Sequence, residues 1–383
     1  MKRSLCVTLQ LLLLLPLGAW GQSDAEKPRD SGNAAMKYWQ AIALLPNFDE
    51  KQEKLLENWK TIPLDGEISN LLQNSKAMMK YLRRAAACSH CYWDLDYNEG
   101  PHLLAPHLAK CRTLGRLAAL QIRSEFAAGK PAAAVDSFLA LMALARHTGS
   151  EPIIISILVG YAIESFALEA IAPYLPDLDK ELAGKLASSM AKLPKMVPMQ
   201  ETLHTEKVYM LGWLVKQMET AEKEQPGNWL KTINAILGPA PEADKERNQK
   251  LLNSIESYAQ ARQLASDLTP VYDEFAEAFS LPAAQREARC EELLQQARKN
   301  NALAVMLLPA LTKTIAAENK YQARLALLQA ALVVVQKGPS PLKTINDPFG
   351  DGPFEYKQLP MGFELTSKLR TVDGKQVSYT VGK

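Results

Sequence analysis

Apolar residues recur at helical spacing through most of this chain, and alternate with polar ones only near its end. The first such run follows Asn33, a good N-cap, and passes through Met36, Tyr38, Trp39, Ile42 and Leu45 before Pro46 stops it. Asp49 is placed to cap a second helix over 50–59. Ile68, Leu71, Leu72, Met78, Met79 and Leu82 predict a third over 67–87. After an irregular stretch from Cys88 to Pro106, helix resumes and ends at Gly129. Pro131 restarts it in a first turn, and it ends again at Gly149. This pair reads as an antiparallel hairpin similar to a tetratricopeptide unit, with no second clear copy at the roughly 34-residue period.

Ser150-Glu151-Pro152 opens another helix, running to Ala172. The triple isoleucine at 153–155 suits a strand, but the apolar pattern continues for about 20 residues, longer than strands run. Further helices are expected over 178–193, 199–223, 229–237, 242–268, 269–279, 283–298 and 302–337. The last is apolar from Leu325 to Val335 and expected to be central. The pattern changes at Gly338. Glycine and proline crowd 338–353, and three strand-like runs follow at 354–358, 362–369 and 376–381, with Asp373-Gly374 as a hairpin turn. The expected architecture is mostly α: an irregular bundle of helical hairpins over 33–337, then a small antiparallel sheet within 338–383, packed on the last helix.

The first residues carry a different signal. Lys2 and Arg3 precede an apolar run from Leu5 to Leu17, and Ala19-Trp20-Gly21 offers small residues for cleavage after Gly21. The run is short for a membrane span, and Gln22, not cysteine, follows it. Residues 1–21 therefore read as a signal peptide and 22–32 as a flexible lead-in, which makes the chain exported, periplasmic or extracellular. The next most apolar run, Ile153 to Val159, meets Gly160 and Glu164 and reads as core, so no transmembrane segment is expected once the leader is removed.

Removing the leader takes two of the 44 basic side chains and leaves them balanced against 42 acidic ones. Zero net charge gives no field to draw the protein to nucleic acid or to anionic lipid.

Candidate chemistry concentrates in 88–111. Cys88, Cys91, His107 and Cys111 have the residue types and spacing of a tetrahedral zinc site, with His107 and Cys111 four apart on one helix face. Export favours oxidation instead, and the four mature cysteines, with Cys290, allow three full pairings. A disulfide, buried thiols and zinc all remain open, and no other cofactor is indicated. Asp94, Asp96 and Glu99 lie beside them, suited to acid–base work or to capping the turn at Gly100-Pro101. Glu164 interrupts an apolar helix in line with Ser156 and Gly160. It reads as part of a solvated face, with a buried carboxylate of raised pKa as the alternative. His147 and His204 look isolated. No phosphate-binding glycine loop, Gly-x-Ser-x-Gly elbow or His-Glu-x-x-His helix is present.

Two stretches carry a resemblance. Cys91-Tyr92-Trp93-Asp94-Leu95-Asp96-Tyr97-Asn98-Glu99-Gly100-Pro101, continuing through Pro106-His107-Leu108 to Glu151-Pro152-Ile153-Ile154, resembles a family of exported, uncharacterised proteins of planctomycetes and verrucomicrobia. Asp347-Pro348-Phe349-Gly350-Asp351-Gly352-Pro353-Phe354-Glu355-Tyr356 is similar to the C-terminal turn of type II secretion pseudopilins, although the prepilin cleavage site and the acidic calcium loop are missing. The resemblance implies an envelope protein and brings no catalytic residue. Turn chemistry alone accounts for the second stretch: Asp347 accepts backbone N–H groups, Pro348 fixes φ, Gly350 permits positive φ, and Phe349 fastens the turn below. The function expected is a binding or scaffold protein for an envelope protein or peptide. A metal-dependent or thiol-based enzyme centred on 88–111 is the alternative.

Overall fold

A computed structural model describes residues 32–237 and 245–382; the leader, nearly all of the lead-in and the start of the helix expected at 242 lie outside the described residues. The chain is mostly helical and ends in a three-stranded antiparallel sheet.

Local capping sets the first boundaries. α1 (Ala34–Ala43) starts where the Asn33 side chain accepts from Ala35 N at 3.1 Å, and α2 (Glu50–Glu57) where Asp49 and Gln52 form a reciprocal capping box. The single helix expected over 67–87 is two, α3 (Gly66–Asn74) and α4 (Lys76–Ala86). The break is Ser75, whose hydroxyl donates to Leu71 O at 2.8 Å while its own backbone leaves helical geometry. After a 3-10 segment (Tyr97–His102) come α5 (His107–Ala127), α6 (Pro131–Thr148) and α7 (Ile154–Ile171), which pack on one another.

α8 (Lys180–Met190) is capped by Asp179. The rod expected over 199–223 forms as α9 (Met199–Glu206) and α10 (Gly212–Glu224), joined without a break by a π-helical turn (Lys207–Leu211). α11 (Trp229–Leu237) follows. The long charged helix expected next divides into α12 (Lys245–Asn253) and α13 (Tyr258–Ser266), because Ile255 turns inward to 1% exposure and Ser257 caps a fresh start. α14 (Thr269–Ala278) and α15 (Ala283–Asn300) lead to a third division, α16 (Ala304–Leu307) and α17 (Pro309–Lys337). Pro309 lacks an N–H and clashes with the preceding turn, so it begins a helix and cannot continue one.

Buried apolar side chains form two cores. One gathers α1 to α6, the later part of α7, α8, the later part of α17 and the sheet. The other gathers the start of α7, α9 to α16 and the start of α17. α7 and α17 thread both, with Ile157 and Ile315 in the second core and Ile163 and Ala323 in the first, and α15 touches the first through Ala283 at its start. α7 with its 3-10 extension, Ile154–Asp177, is the one helix among the described residues long and apolar enough to cross a membrane, and in this fold it packs against α5, α6 and α17.

In the sheet, β1 (Glu355–Leu359), β2 (Gly362–Arg370) and β3 (Gln376–Gly382) lie in that order, with Phe363, Leu365, Val377, Tyr379 and Val381 buried. The Tyr379 hydroxyl donates to Leu168 O at 2.7 Å, which pins the sheet to α7. Asp347 organises the turn before it. Its buried carboxylate accepts from Phe349 N at 3.0 Å, from Ser367 Oγ at 2.9 Å and from Lys368 N at 2.5 Å. Gly350 corrects the expectation, since positive φ is taken by Gly352 at 94°. Gly350 is needed for space: a Cβ there would stand 2.6 Å from Lys368 Cγ. Replacing Asp347 with Ala leaves three buried donors without acceptors and should cost roughly 3 kcal/mol, read as a lower midpoint in urea with unchanged slope.

Candidate functional site

The cysteine-rich window folds into a strap. Ala34 N donates to His90 O, and Asn33 and Tyr92 exchange two hydrogen bonds, so the window is tied to the start of α1. Glu151, only 3% exposed, anchors the middle: it accepts from Trp93 N at 2.7 Å and from the Tyr97 hydroxyl at 2.5 Å. Trp93 Nε1 donates to His147 O at 2.9 Å, and its ring stacks on His107 with centroids 4.1 Å apart.

The Cys₃His cluster is not assembled. Cys88, Cys91, Cys111 and Cys290 are free thiols, and among the described residues no three His, Cys, Asp or Glu side chains are placed to hold a metal ion. His107 is committed to the Trp93 stack, and the three nearby thiols surround the Tyr38 hydroxyl. Burial pushes the Cys111 thiol up to about 12 and Cys290 to about 11, and it raises Cys91 as well. Such thiols stay protonated at neutral pH and are poor nucleophiles. Asp94, Asp96 and Glu99 are exposed, and Asp96 caps the 3-10 segment through Asn98 N. His147 is not isolated, because its Nδ1 pairs with the Tyr38 hydroxyl at 2.9 Å. His204 lies at the surface, 3.3 Å from Asp273.

Glu164 belongs elsewhere. Its side chain is fully buried, not on a solvated face, and it lies apart from the three carboxylates of the strap, at the point where α7 crosses from one core to the other. Gly160, one turn earlier, lets α7 approach α6 so closely that a Cβ would meet Ala145 O at 2.9 Å. That approach brings Arg146 of α6 to 3.7 Å from Glu164, short of a hydrogen bond, and neither carboxylate oxygen has a hydrogen-bond partner. Tyr321 of α17 also faces this carboxylate. Burial raises Glu164 to about 7 against the opposing pull of Arg146.

α17 supplies the counterpart. Tyr161 of α7 donates its hydroxyl to Glu318, which also accepts from Gln322 Nε2 at 2.5 Å. Glu318 is 7% exposed, and burial raises it to about 7 against the Gln322 bond. The Tyr161 and Tyr321 rings stack with centroids 4.2 Å apart. Each helix thus gives one tyrosine and one glutamate three positions apart on a single face, and the helices run parallel here, 161 beside 318 and 164 beside 321. One turn on, Arg324 pairs with Glu169 at 2.7 Å and bonds Ser165. A sign of this was present in the sequence as Tyr161-x-x-Glu164 and Glu318-x-x-Tyr321, a mirrored spacing that either helix alone does not reveal.

Over these rings lies a cavity of about 240 Å³ lined by Leu158, Tyr161, Ala162, Leu168, Tyr321 and Arg324, among others. Glu164 and Glu318 do not line it; they stand behind the tyrosines. A second cavity, of about 610 Å³, shares Ala317 and Lys320 with the first and reaches the β2–β3 turn. A third, of about 380 Å³, shares Glu287, Ala316 and Val372 with the second. The three form one trough along α17. No family model, curated protein or solved structure matches the chain.

The buried acids and bases oppose each other in their effect on stability. Glu164 and Glu318, raised from 4.5 to about 7, hold protons in the fold that the unfolded chain releases, so their stabilisation is lost as pH rises from 4.5 through 7. His107 and His147, lowered by burial from 6.5 to about 4, do the reverse, and their stabilisation is lost as pH falls from 6.5 through 4. Glu206, likewise raised by burial, joins the first side, so the effects cancel only in part between 4.5 and 6.5. Stability of the native chain should fall gently with rising pH there. Glu318→Gln should tilt it upward with pH by about 1.4 kcal/mol per unit, and His107→Asn should tilt it downward, both read from urea midpoints across that range.

Proposed function

We propose that the chain is an exported binding protein of the cell envelope whose ligand lies in the trough along α17. The observation that carries this reading is the continuity of the three cavities. Each shares lining residues with the next, and all three draw on α17. Binding sites are usually preformed, concave and mostly apolar, with a few polar groups at fixed places. The trough has Leu158, Leu168, Leu369, Ile315 and Leu294 in its walls, with Lys320, Arg370 and Glu287 between them. At its edge the apolar Val372, on the β2–β3 turn, is 96% exposed.

Export rests on the leader: a basic start, the apolar run from Leu5 to Leu17 and small residues before Gln22. The enzymatic alternative in 88–111 has little behind it, because the Cys91 and Cys111 thiols are held protonated and the carboxylates face solvent.

Fractionation and N-terminal sequencing test export, and the expected result is a chain beginning at Gln22 outside the cytoplasm. Recovery from the cytosol with Met1 in place would end that part of the reading. Ala317 stands in both the first and second cavities, so Ala317→Trp fills the trough from within. Envelope proteins retained by the immobilised wild-type chain should be lost to this variant, while Lys51→Ala, far away on α2, keeps them. An unchanged retained set with an unchanged melting temperature would place the ligand elsewhere.

A further inference from the structure

The first two cavities differ in a way that bears on what fills them. The smaller is lined by the apolar Leu158, Ala162, Leu168 and Ala317 beside the stacked tyrosine rings, and at about 240 Å³ it is undersized for a whole drug-sized ligand. It suits one apolar group attached to something longer.

Its rim is cationic. Lys320 stands on the wall common to both cavities, is exposed, and forms no ion pair among the described residues. Arg324, also on the rim, shares Glu169 with Lys60, so one carboxylate there serves two cations. Lys320 is left over. A ligand entering here meets uncompensated positive charge beside an apolar socket.

The larger cavity is polar by comparison. Glu287, Asn319, Arg370, Thr371 and Asp373 contribute to its walls, with Val372 and Leu369 among them. An acyl chain would strip water from these groups and return nothing, whereas peptide amides can hydrogen-bond to them.

We propose that the trough binds the C-terminal end of an extended peptide, its last side chain in the small cavity, its terminal carboxylate at Lys320, and its preceding residues along the β2–β3 turn. This rests on the binding reading given above and adds the class of ligand. An ammonium gives a charge-assisted bond to a terminal carboxylate that an amide cannot match. An apolar last residue adds burial against Leu158 and Leu168.

The test uses the full mature chain and two pools of N-terminally fluorescein-labelled hexapeptides, random in sequence and ending in Leu or Val. One pool keeps its free carboxylate and the other is amidated. The free-carboxylate pool should be retained about tenfold better, and Lys320→Glu should abolish that preference without moving the melting temperature, since the side chain is exposed. Equal retention of both pools, each lost on Ala317→Trp, would overturn the carboxylate assignment and leave the binding site standing. Direct binding of palmitate, lost on Ala317→Trp and with neither pool retained, would replace the peptide with an acyl chain and likewise overturn the proposal. Retention of no peptide and no palmitate, together with an Ala317→Trp variant that captures the same envelope proteins as wild type, would remove both the ligand class and the site.

Discussion

The parallel contact between α7 and α17 is the constraint on which the rest of the structure depends. Two largely apolar helices can slide along each other with little change in buried area, so apolar packing alone sets their register weakly. Here each carries a tyrosine and a glutamate three residues apart: Tyr161 donates to Glu318, its ring stacks on Tyr321, and Tyr321 faces Glu164. A shift of one turn would part the buried Glu318 carboxylate from the Tyr161 hydroxyl and unstack the two rings, at a cost of about 1–3 kcal/mol for the lost acceptor alone. The polar seam therefore fixes the register. It also lies where the two apolar cores meet, so the same contact sets how those cores sit against each other. The trough follows from this, because the tyrosine stack lines its first cavity and α17 contributes to all three.

Much of the architecture was legible in the sequence. The helical body, the three strands, the hairpin turn at Asp373-Gly374 and the caps at Asn33 and Asp49 depend on spacing and on local hydrogen bonds, which a linear pattern records. The three helices that divide were not legible in the same way. Ser75 turns its hydroxyl onto its own backbone, Ile255 leaves the helix for the core, and Pro309 stands mid-run in an apolar stretch. In the first two cases periodicity continues through the break and tertiary burial decides. In the third the proline was visible, and the apolar pattern around it masked it. Asp347 was read correctly, and Gly350 was given the wrong reason, since the crowding comes from Lys368, eighteen residues further along the chain.

The candidate site was less legible than the fold. Residues that usually do chemistry clustered in 88–111, and there they build a strap: Glu151 anchors it, Trp93 and His107 stack, and the thiols fill space around Tyr38. Glu164 showed as an anomaly, but its environment depends on Arg146, Tyr321 and the close approach at Gly160. None of these is local to it in the way a cap is. Burial of a charged group belongs to pairs of elements, and the pattern of a single helix does not show which face its partner will cover.

The two cores also imply an order of events. Apart from Ala283, the first is made of residues before about 197 and after about 322, while the second, apart from Ile157, lies between them. A chain emerging from its N-terminus completes the inner lobe while the outer one still lacks the later half of α17 and the sheet. Tyr379 reaches Leu168 across 211 positions, a closure available only after nearly the whole polypeptide has been released. Until then the face of apolar α7 that α17 and the sheet later cover stays open to its surroundings, through roughly the second half of synthesis.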